Sequence, residues 1–431
     1  MKPETLSLET PNEGTDPAVD PRRRLERTTS RALVSLRLDL SWQSPLARHC
    51  DSLFATRLNL WRDLFPPQLA PLLLDKPRGH AVEQGFAPGE LVSPWRSDEH
   101  RRVRNRQFNR LYGSGGGARG SVQPRVGRFY PRAIFQDLDG VIHADRHPCR
   151  LTQVDGERIA VDFNHPLAER PLHLRVEIQD IWAQGEERGG RCNEVAELVT
   201  ANGPGMQARW RDLPTDFWSD QPFRRRDPRP DPEFYREPRL VDHLDRVAIA
   251  QVQGLYGRLI PTGSRILDLM SSWHSHLPAP LASGSVIGLG LNRAELEANP
   301  VLQERLIQDL NAESRLPFPD GDFDAVVCTA SVEYLVEPFA VFREVARVLR
   351  PGGVFVVTFT NRWFPPKAIA IWEGIHEFER PGLILEYFAE SGAFRDLETW
   401  SLRGLPRPAD DEYASQLAQS DPVYGVWGYR A

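Results

Sequence analysis

The 431-residue sequence contains few cysteines, and their spacing excludes two common uses of a thiol. Cys50, Cys149, Cys192 and Cys328 are widely separated, and no CxxC pair is present. Structural zinc sites need closely spaced ligand pairs, and disulfide frameworks are typical of short secreted chains. We therefore expect reduced, mostly buried thiols and no metal site.

Long apolar runs and an excess of positive charge are also missing. No stretch approaches the roughly 20 apolar residues that span a bilayer, and the N-terminus lacks the apolar segment of a signal peptide. The formal net charge of -6 gives the chain no overall basic surface for nucleic acid. These absences predict a cytoplasmic protein without a membrane partner, for which nucleic acid is not the expected ligand.

A third absence is local, at residues 265–276. The run RILDLM begins like the first strand of a nucleotide-binding α/β domain, but SSWHSH follows where glycines would normally let the backbone approach a ligand. This segment is either a modified cofactor loop or a turn that packs on its own helix.

Composition and periodicity divide the chain into four parts. Residues 1–31 are polar and punctuated by proline, so they bury too little apolar surface to fold and are predicted to be a disordered tail. Residues 32–182 alternate apolar and polar positions with period two, which predicts a β-rich domain. Residues 183–239 are polar, include a stretch rich in proline and arginine, and are predicted to be a semi-rigid linker.

Residues 240–431 show a different pattern, in which strand-like and helix-like segments alternate. Apolar runs of strand length occupy residues 265–270, 285–291, 323–330 and 353–360. Such alternation predicts an α/β domain with a parallel sheet and helices on both faces. Ligands of these sheets bind outside the carboxyl ends of the strands, so the candidate site lies there.

Motifs in this second half carry a specific resemblance. A strand that contains Asp268 is followed by VIGLGL, an acidic turn at Asp309, the run LPFPDGDFDAVV and the block LRPGG. Over roughly residues 240–365, this order is similar to the class I S-adenosylmethionine-dependent methyltransferases, and most similar to their type 11 group. The resemblance implies a Rossmann-like methyltransferase domain with S-adenosylmethionine as cofactor.

The resemblance also implies roles for residues at the strand ends. Asp268 would open the cofactor pocket, and Asp309 would accept a hydrogen bond from the adenine amino group. Gly290 stands where these enzymes carry an acid for the ribose hydroxyls, and Asn292 is a candidate substitute. Trp273 could stack on the cofactor or cap the pocket. The predicted cofactor-binding residues are Asp268, Met270, Ser271, Ser272, Trp273, Gly288, Gly290, Asn292, Asp309, Leu310 and Thr329.

No catalytic residue is assigned from the sequence. Methyl transfer depends mainly on positioning, and it needs a base only if the acceptor must lose a proton. The side chains that follow the two later strands are expected to face the acceptor: Glu333, Tyr334, Asn361, Arg362 and Trp363.

The first half carries a second resemblance. The blocks GRFYPR at 127–132, VDFNHPLA at 161–168 and LHLRVEI at 172–178 resemble the SlyD-type FKBP prolyl isomerases. The resemblance implies an FKBP-like peptide-binding domain with peptidyl-prolyl isomerase activity over residues 32–182. The aromatic element that closes the proline pocket is replaced by FAPGELV at 86–92, which favours peptide binding over fast isomerisation.

Two functions from different classes remain open at this point. The favoured one is S-adenosylmethionine-dependent methyl transfer to an unknown acceptor, for which a protein or peptide presented by the first domain is one candidate. The alternative is a non-catalytic binding protein in which both folds are degenerate. The turn at 270–275 discriminates between them, because side chains that fill the pocket would favour the alternative.

Overall fold

The computed structural model describes residues 24–112, 121–183 and 190–431, so most of the predicted N-terminal tail lies outside the described residues. The first half contains strands β1 (Leu33–Gln43), β2 (Arg48–Asn59), β3 (Ala81–Phe86), β4 (His100–Arg104), β5 (Phe129–Pro131), β6 (Pro148–Val154), β7 (Arg158–Asp162) and β8 (Leu172–Trp182). It is therefore β-rich, as the period-two pattern predicts, whereas its FKBP-like character stays a prediction.

The second half alternates strands and helices, as predicted. Two short helices, α1 (Val195–Thr200) and α2 (Asp231–Phe234), lie before it, within the predicted linker. The elements of the second half are, in chain order, α3 (Arg246–Leu259), β9 (Arg265–Leu269), α4 (Ala279–Ala282), β10 (Ser285–Gly290), α5 (Arg293–Ala298), β11 (Glu304–Ile307), β12 (Phe323–Thr329), α6 (Pro338–Val348), β13 (Leu349–Phe359), α7 (Ala370–Gly374), α8 (Glu379–Ser391), β14 (Phe394–Arg403) and β15 (Val423–Arg430).

The described strands form an 11-stranded sheet in the order β11-β10-β9-β12-β13-β15-β14-β2-β1-β8-β3, and a 4-stranded sheet in the order β4-β7-β6-β5. Strands β11, β10, β9, β12 and β13 are parallel, which confirms the predicted parallel sheet. The chain runs outward from β9 to β11 and then returns to β12 beside β9. This reversal is the point where open α/β sheets bind ligands.

Local sequence explains two helices that frame this sheet. Asp245 precedes α3 and its side chain accepts hydrogen bonds from the backbone N–H groups of Val247 and Ala248, which caps the helix. Helix α6 starts with Pro338 and buries Phe342 and Val345 on its inner face. Within the described ranges, the helices are too short or too polar to cross a membrane.

The two halves share one sheet. Strand β14 pairs in parallel with β2, from Glu398 opposite Arg48 to Arg403 opposite Leu53. The strands of the predicted 32–182 and 240–431 domains are therefore hydrogen-bonded neighbours, although the predicted boundaries themselves stay a prediction.

The predicted linker differs from a solvated connector. Met206 and Phe217 belong to the same hydrophobic cluster as the strands of the second half. Asp231 is only 3% exposed and forms ion pairs with Arg225 and Lys367. The buried pairs of Asp231 coexist with exposed ones, such as Arg229 with Asp227, so the stretch is charged outside and packed inside.

Candidate functional site

A cavity lies at the carboxyl ends of β9, β10, β11, β12 and β13, where the strand order reverses. Residues from all five strand ends and from the segment 231–243 form its wall. The lining residues are Asp231, Tyr235, Arg239, His243, Met270, Ser271, Ser272, Gly290, Leu291, Asn292, Glu295, Gln308, Asp309, Leu310, Asn311, Ala330, Ser331, Tyr334 and Phe364.

The first turn leaves room for this cavity although it lacks glycine. Met270 adopts φ 59°, a left-handed conformation that glycine usually supplies. The backbone N–H of Ser271 donates to the carbonyl oxygen of Leu289 at 2.8 Å, which fixes the turn against β10. Side chains of Met270, Ser271 and Ser272 line the cavity and do not fill it.

Asp268 holds this turn from beneath. Its carboxylate is buried and accepts a hydrogen bond from Ser271 Oγ at 2.5 Å. Burial raises the pKa of Asp268 to about 7. Asp268 therefore supports the turn through Ser271, and its predicted contact with the cofactor stays a prediction.

The end of the second strand brings Gly290 and Asn292 to the cavity, as predicted. A side chain at Gly290 would place its Cβ 2.2 Å from the carbonyl oxygen of Ser271, so this position cannot carry an acid. The Asn292 amide is already engaged: Oδ1 accepts from the backbone N–H of Glu295 and caps α5, and Nδ2 donates to the carbonyl oxygens of Tyr235 and Arg236. Only the second lone pair of Oδ1 is left for a ligand, so the role of Asn292 as a substitute for the acid stays a prediction.

Glu295, on α5, brings a carboxylate to the cavity near the end of β10, where Gly290 stands in place of an acid. Its Oε2 accepts from Ser272 Oγ at 2.7 Å, and its Oε1 accepts from the backbone N–H of Arg239 at 2.8 Å. Glu295 lines the cavity and joins the first turn to the 231–243 segment. Sequence reasoning missed it because it lies inside α5, one turn beyond the expected position.

Asp309 and Asn311 form the wall below the third strand. Asp309 Oδ1 accepts from the backbone N–H of Asn311 at 2.9 Å. The Asn311 amide donates to Asp231 Oδ2 at 2.8 Å and to the carbonyl oxygen of Tyr334 at 2.9 Å. Asn311 therefore connects the segment after β11, the segment after β12 and the predicted linker.

We call residues 231–243 the strap, because Asp231, Tyr235, Arg239 and His243 all line the cavity from this one segment. The guanidinium of Arg239 lies over the rings of Phe234 and Phe364, each at 4.6 Å. Arg239 Nη1 and the hydroxyl of Tyr235 are buried and have no hydrogen-bond partner among the described residues. Unsatisfied buried polar atoms are rare, which makes these two atoms candidate partners for a water molecule or a ligand.

Four predicted residues lie outside the cavity. Gly288 sits in the middle of β10, where a Cβ would come within 2.4 Å of Leu302. Trp273 donates to the carbonyl oxygen of Val241 at 3.1 Å and stacks on His274, so it fastens the strap and does not enter the cavity. The Thr329 hydroxyl forms a hydrogen bond with the Tyr256 hydroxyl at 2.6 Å. The fourth is Asp268, described above.

Comparisons with known proteins identify the kind of domain that contains this site. A family model described as a methyltransferase domain matches residues 273–357. The methyltransferase GfsG of Streptomyces halstedii is 29% identical over 133 residues, which are 28% of this chain and 46% of that protein. The ubiquinone biosynthesis O-methyltransferase of Xanthomonas axonopodis pv. citri is 32% identical over 125 residues, which are 26% of this chain and 49% of that protein.

The chain thus spans about half the length of the curated relatives it matches. Among solved structures, an S-adenosylmethionine-dependent methyltransferase from Aquifex aeolicus matches with 17% identity and a TM-score of 0.32, covering 47% of this chain and 100% of that one. The family match places a methyltransferase domain in the second half, and it supports S-adenosylmethionine as the cofactor.

Proposed function

We propose that this methyltransferase domain binds S-adenosylmethionine in the cavity at the strand ends and methylates an acceptor. The observation that carries the proposal is the convergence of the matched domain with the buried, unpartnered atoms of Tyr235 and Arg239 at one cavity. The modified turn is compatible with this proposal, because Met270 and Gly290 together leave the cavity open.

The residues present suit the three parts of the cofactor. Asp309 stands at the third strand and fits the adenine amino group, as the resemblance implies. The Glu295 carboxylate is the hydrogen-bond acceptor for ribose hydroxyls in place of Gly290. Arg239 Nη1 has no hydrogen-bond partner among the described residues, so the guanidinium can donate a charge-assisted hydrogen bond to the carboxylate of the amino-acid end.

When bound, S-adenosylmethionine supplies a methyl group activated by its sulfonium. The chain contributes position and exclusion of water. Phe364 and Tyr334 close the end of the cavity near β12 and β13, and the backbone N–H of Phe364 donates to Tyr334 OH at 2.9 Å, which fixes both rings. A closed, oriented site is what methyl transfer requires of a protein.

Calorimetric titration with S-adenosylhomocysteine tests this proposal. The wild-type protein should bind it, and Asp309→Asn should bind about tenfold to a hundredfold more weakly, because a charge-assisted hydrogen bond is lost. Asp139→Asn is the matched control, since Asp139 is exposed in the first half. Absence of binding at millimolar ligand would favour the non-catalytic alternative.

For the first half, we propose an FKBP-like peptide-binding role, with a protein or peptide as one possible acceptor. A cleft beside the Asn164-His165-Pro166 turn supports it. His165 Nε2 bonds the carbonyl oxygen of Thr200 at 3.1 Å, and burial lowers the pKa of His165 to about 4, so the turn is fixed and neutral. A proline-peptide isomerisation assay, together with peptide titration, separates binding from isomerase activity.

A further inference from the structure

A groove on the 4-stranded sheet of the first half is lined almost entirely by charged and polar residues. It has a volume of about 790 Å³ and shares no lining residue with the cavity at the strand ends. The residues that line it are Arg102, Val103, Arg104, Arg106, Gln107, Asp137 and Arg158. We call it the arginine groove, because four of these residues are arginines.

The strand register explains why the four guanidinium groups meet in this groove. Arg102 and Arg104 alternate with the buried Val103 along β4, so their side chains lie on the same face of the sheet. Strand β7 runs antiparallel to β4 and places Arg158 directly opposite Arg104. Arg106 lies in the helical turn that follows β4. Two paired strands and one turn thus hold the four side chains around one open space.

These four arginines have no ionic partner in the described parts of the chain. The neighbouring Arg101 pairs with Glu99 at 3.2 Å, whereas no carboxylate oxygen lies within 4.0 Å of the guanidinium nitrogens of the groove arginines. Like charges directly opposite each other on neighbouring strands are destabilising, as Arg104 and Arg158 are here. An anion bound between them would remove this repulsion.

Protection of a sheet edge explains only part of this arrangement. Strand β4 is an outer strand of the 4-stranded sheet, and charged residues on such strands prevent edge-to-edge association. Strand β7 lies inside the sheet, between β4 and β6, so Arg158 has no edge to protect. The position of Arg158 opposite Arg104 therefore favours a binding role for the groove.

The charges of the groove indicate the kind of ligand. Four arginines against Asp137 leave three positive charges, in a chain whose formal net charge is -6. A phosphate group carries about two negative charges, so two linked phosphate groups supply enough charge within one small ligand. Guanidinium groups bind phosphate oxygens in pairs. Among the described residues that line the groove, none is aromatic, which disfavours the stacking by which single-stranded nucleic acid binds.

We propose that the arginine groove binds a small molecule that carries a diphosphate group, as a site separate from the proposed methyl-transfer site. Arg104 and Arg158 bracket one phosphate group, because they stand opposite each other on paired strands. Arg102 and Arg106 supply positive charge for the second phosphate group. The ligand thus neutralises charges that the described chain leaves unpaired.

Calorimetric titration of the full chain with inorganic pyrophosphate tests this proposal. The titration is done at low salt, so that exposed charges are little screened. Pyrophosphate should bind about tenfold more tightly than orthophosphate, because its second phosphate group reaches further guanidinium groups. Arg104→Gln and Arg158→Gln should each weaken pyrophosphate binding by about tenfold or more, because each removes a charge-assisted hydrogen-bond donor.

Arg146→Gln is the matched control. Arg146 is exposed in the first half and forms no ion pair among the described residues, but it does not line the groove. This variant removes the same charge and should leave pyrophosphate affinity unchanged. Urea unfolding separates binding from folding, because Arg158→Gln relieves the repulsion with Arg104 and should not lower stability. A loss of stability in Arg158→Gln would instead assign Arg158 a structural role.

Other outcomes of the titrations would overturn the proposal. Pyrophosphate that binds no more tightly than orthophosphate would exclude a diphosphate site. Equal losses in Arg104→Gln and Arg146→Gln would reduce binding to the general charge of the surface. Tighter binding of a glutamate-rich peptide or of an oligothymidylate strand would assign the groove to a protein partner or to nucleic acid. None of these titrations involves S-adenosylhomocysteine, so their failure leaves the proposed methyl transfer unaffected.

Discussion

At the scale of single residues, the missing glycines and the missing ribose acid have one cause. The turn after β9 brings the carbonyl oxygen of Ser271 close to the Cα of Gly290. Glycine is therefore required on β10, at position 290, and not in the turn itself. Met270 takes the left-handed conformation that the turn still needs. A carboxylate at position 290 would collide with this turn, and Glu295 provides the nearest alternative.

Gly290→Ala should destabilise the fold and weaken S-adenosylhomocysteine binding. The added Cβ would lie 2.2 Å from a backbone oxygen that cannot move without shifting the turn, and overpacking of this kind costs about 1–3 kcal/mol. Gly254→Ala is the control, because nothing lies within 4 Å of its Cβ position in α3 and alanine favours a helix. Urea unfolding measures both, and equal stability of the two variants would contradict the steric argument.

The pKa of Asp268 predicts how stability changes with pH. Burial raises this pKa from 3.8 to about 7, so the folded state binds more protons than the unfolded state between these values. Stability contributed by protonated Asp268 is therefore lost as pH rises through this window. Asp268→Asn cannot ionise and should become more stable than wild type at pH 8, with a smaller difference at pH 5. A wild-type advantage at pH 8 would show that Asp268 is charged and well solvated by its partners.

At the scale of elements, the sequence predicts apolar strands well and polar strands poorly. Strands β9, β10, β12 and β13 follow from mostly apolar runs of strand length, each with few charged residues. Strand β2 was not predicted, because His49, Asp51 and Ser52 are polar yet buried. Their partners lie on β1 and β14, far away in sequence, so no local pattern reveals them.

The strap was missed for a related reason. Proline and charge between residues 223 and 243 are typical of a linker, and only the tertiary fold pairs Asp231 with Lys367 and places Arg239 over Phe364. The aromatic pair Phe234 and Tyr235 was the one available signal, since large rings seldom occur together in a solvated connector.

A variant in the strap tests whether Arg239 contacts the amino-acid end of the cofactor and not its nucleoside end. If Arg239 holds the carboxylate of the amino-acid end, Arg239→Met should weaken S-adenosylhomocysteine by about tenfold or more. Affinity for 5'-methylthioadenosine, which lacks that end, should stay unchanged. Arg236→Met is the neighbouring control, because Arg236 is exposed on the same strap. Equal losses for both ligands would mean that Arg239 only stabilises the strap.

At the scale of the whole molecule, charged groups on the first half and on the predicted linker contact α8 of the second half. The Arg128 guanidinium lies 3.3 Å from Glu379 Oε1, and both side chains are buried. Arg209 binds the Glu386 carboxylate through Nε at 2.7 Å and Nη2 at 2.5 Å. Such bidentate pairs are directional and resist separation. Arg128 and Arg209 therefore help to position α8.

The shared sheet predicts that both halves unfold together. Asp51 on β2 is buried and accepts from Trp42 Nε1 at 2.9 Å, Ser401 Oγ at 2.8 Å and Gln207 Nε2 at 3.0 Å, so its carboxylate connects the first half, the former linker and β14. Asp51→Ala leaves these three donors unpartnered and should lower the free energy of unfolding by an amount on the order of 3 kcal/mol.

Hydrogen exchange measured by mass spectrometry at increasing urea gives the readout for this variant. Backbone amides of β1 and β13 should lose protection at the same urea concentration in the wild type, and at a lower but still common concentration in Asp51→Ala. Asp98→Ala is the control, because its ion pair with Arg96 is exposed and should matter little. If β13 kept its protection after β1 had lost it, the halves would be independent folding units, and the contacts between β2 and β14 would form only an interface between them.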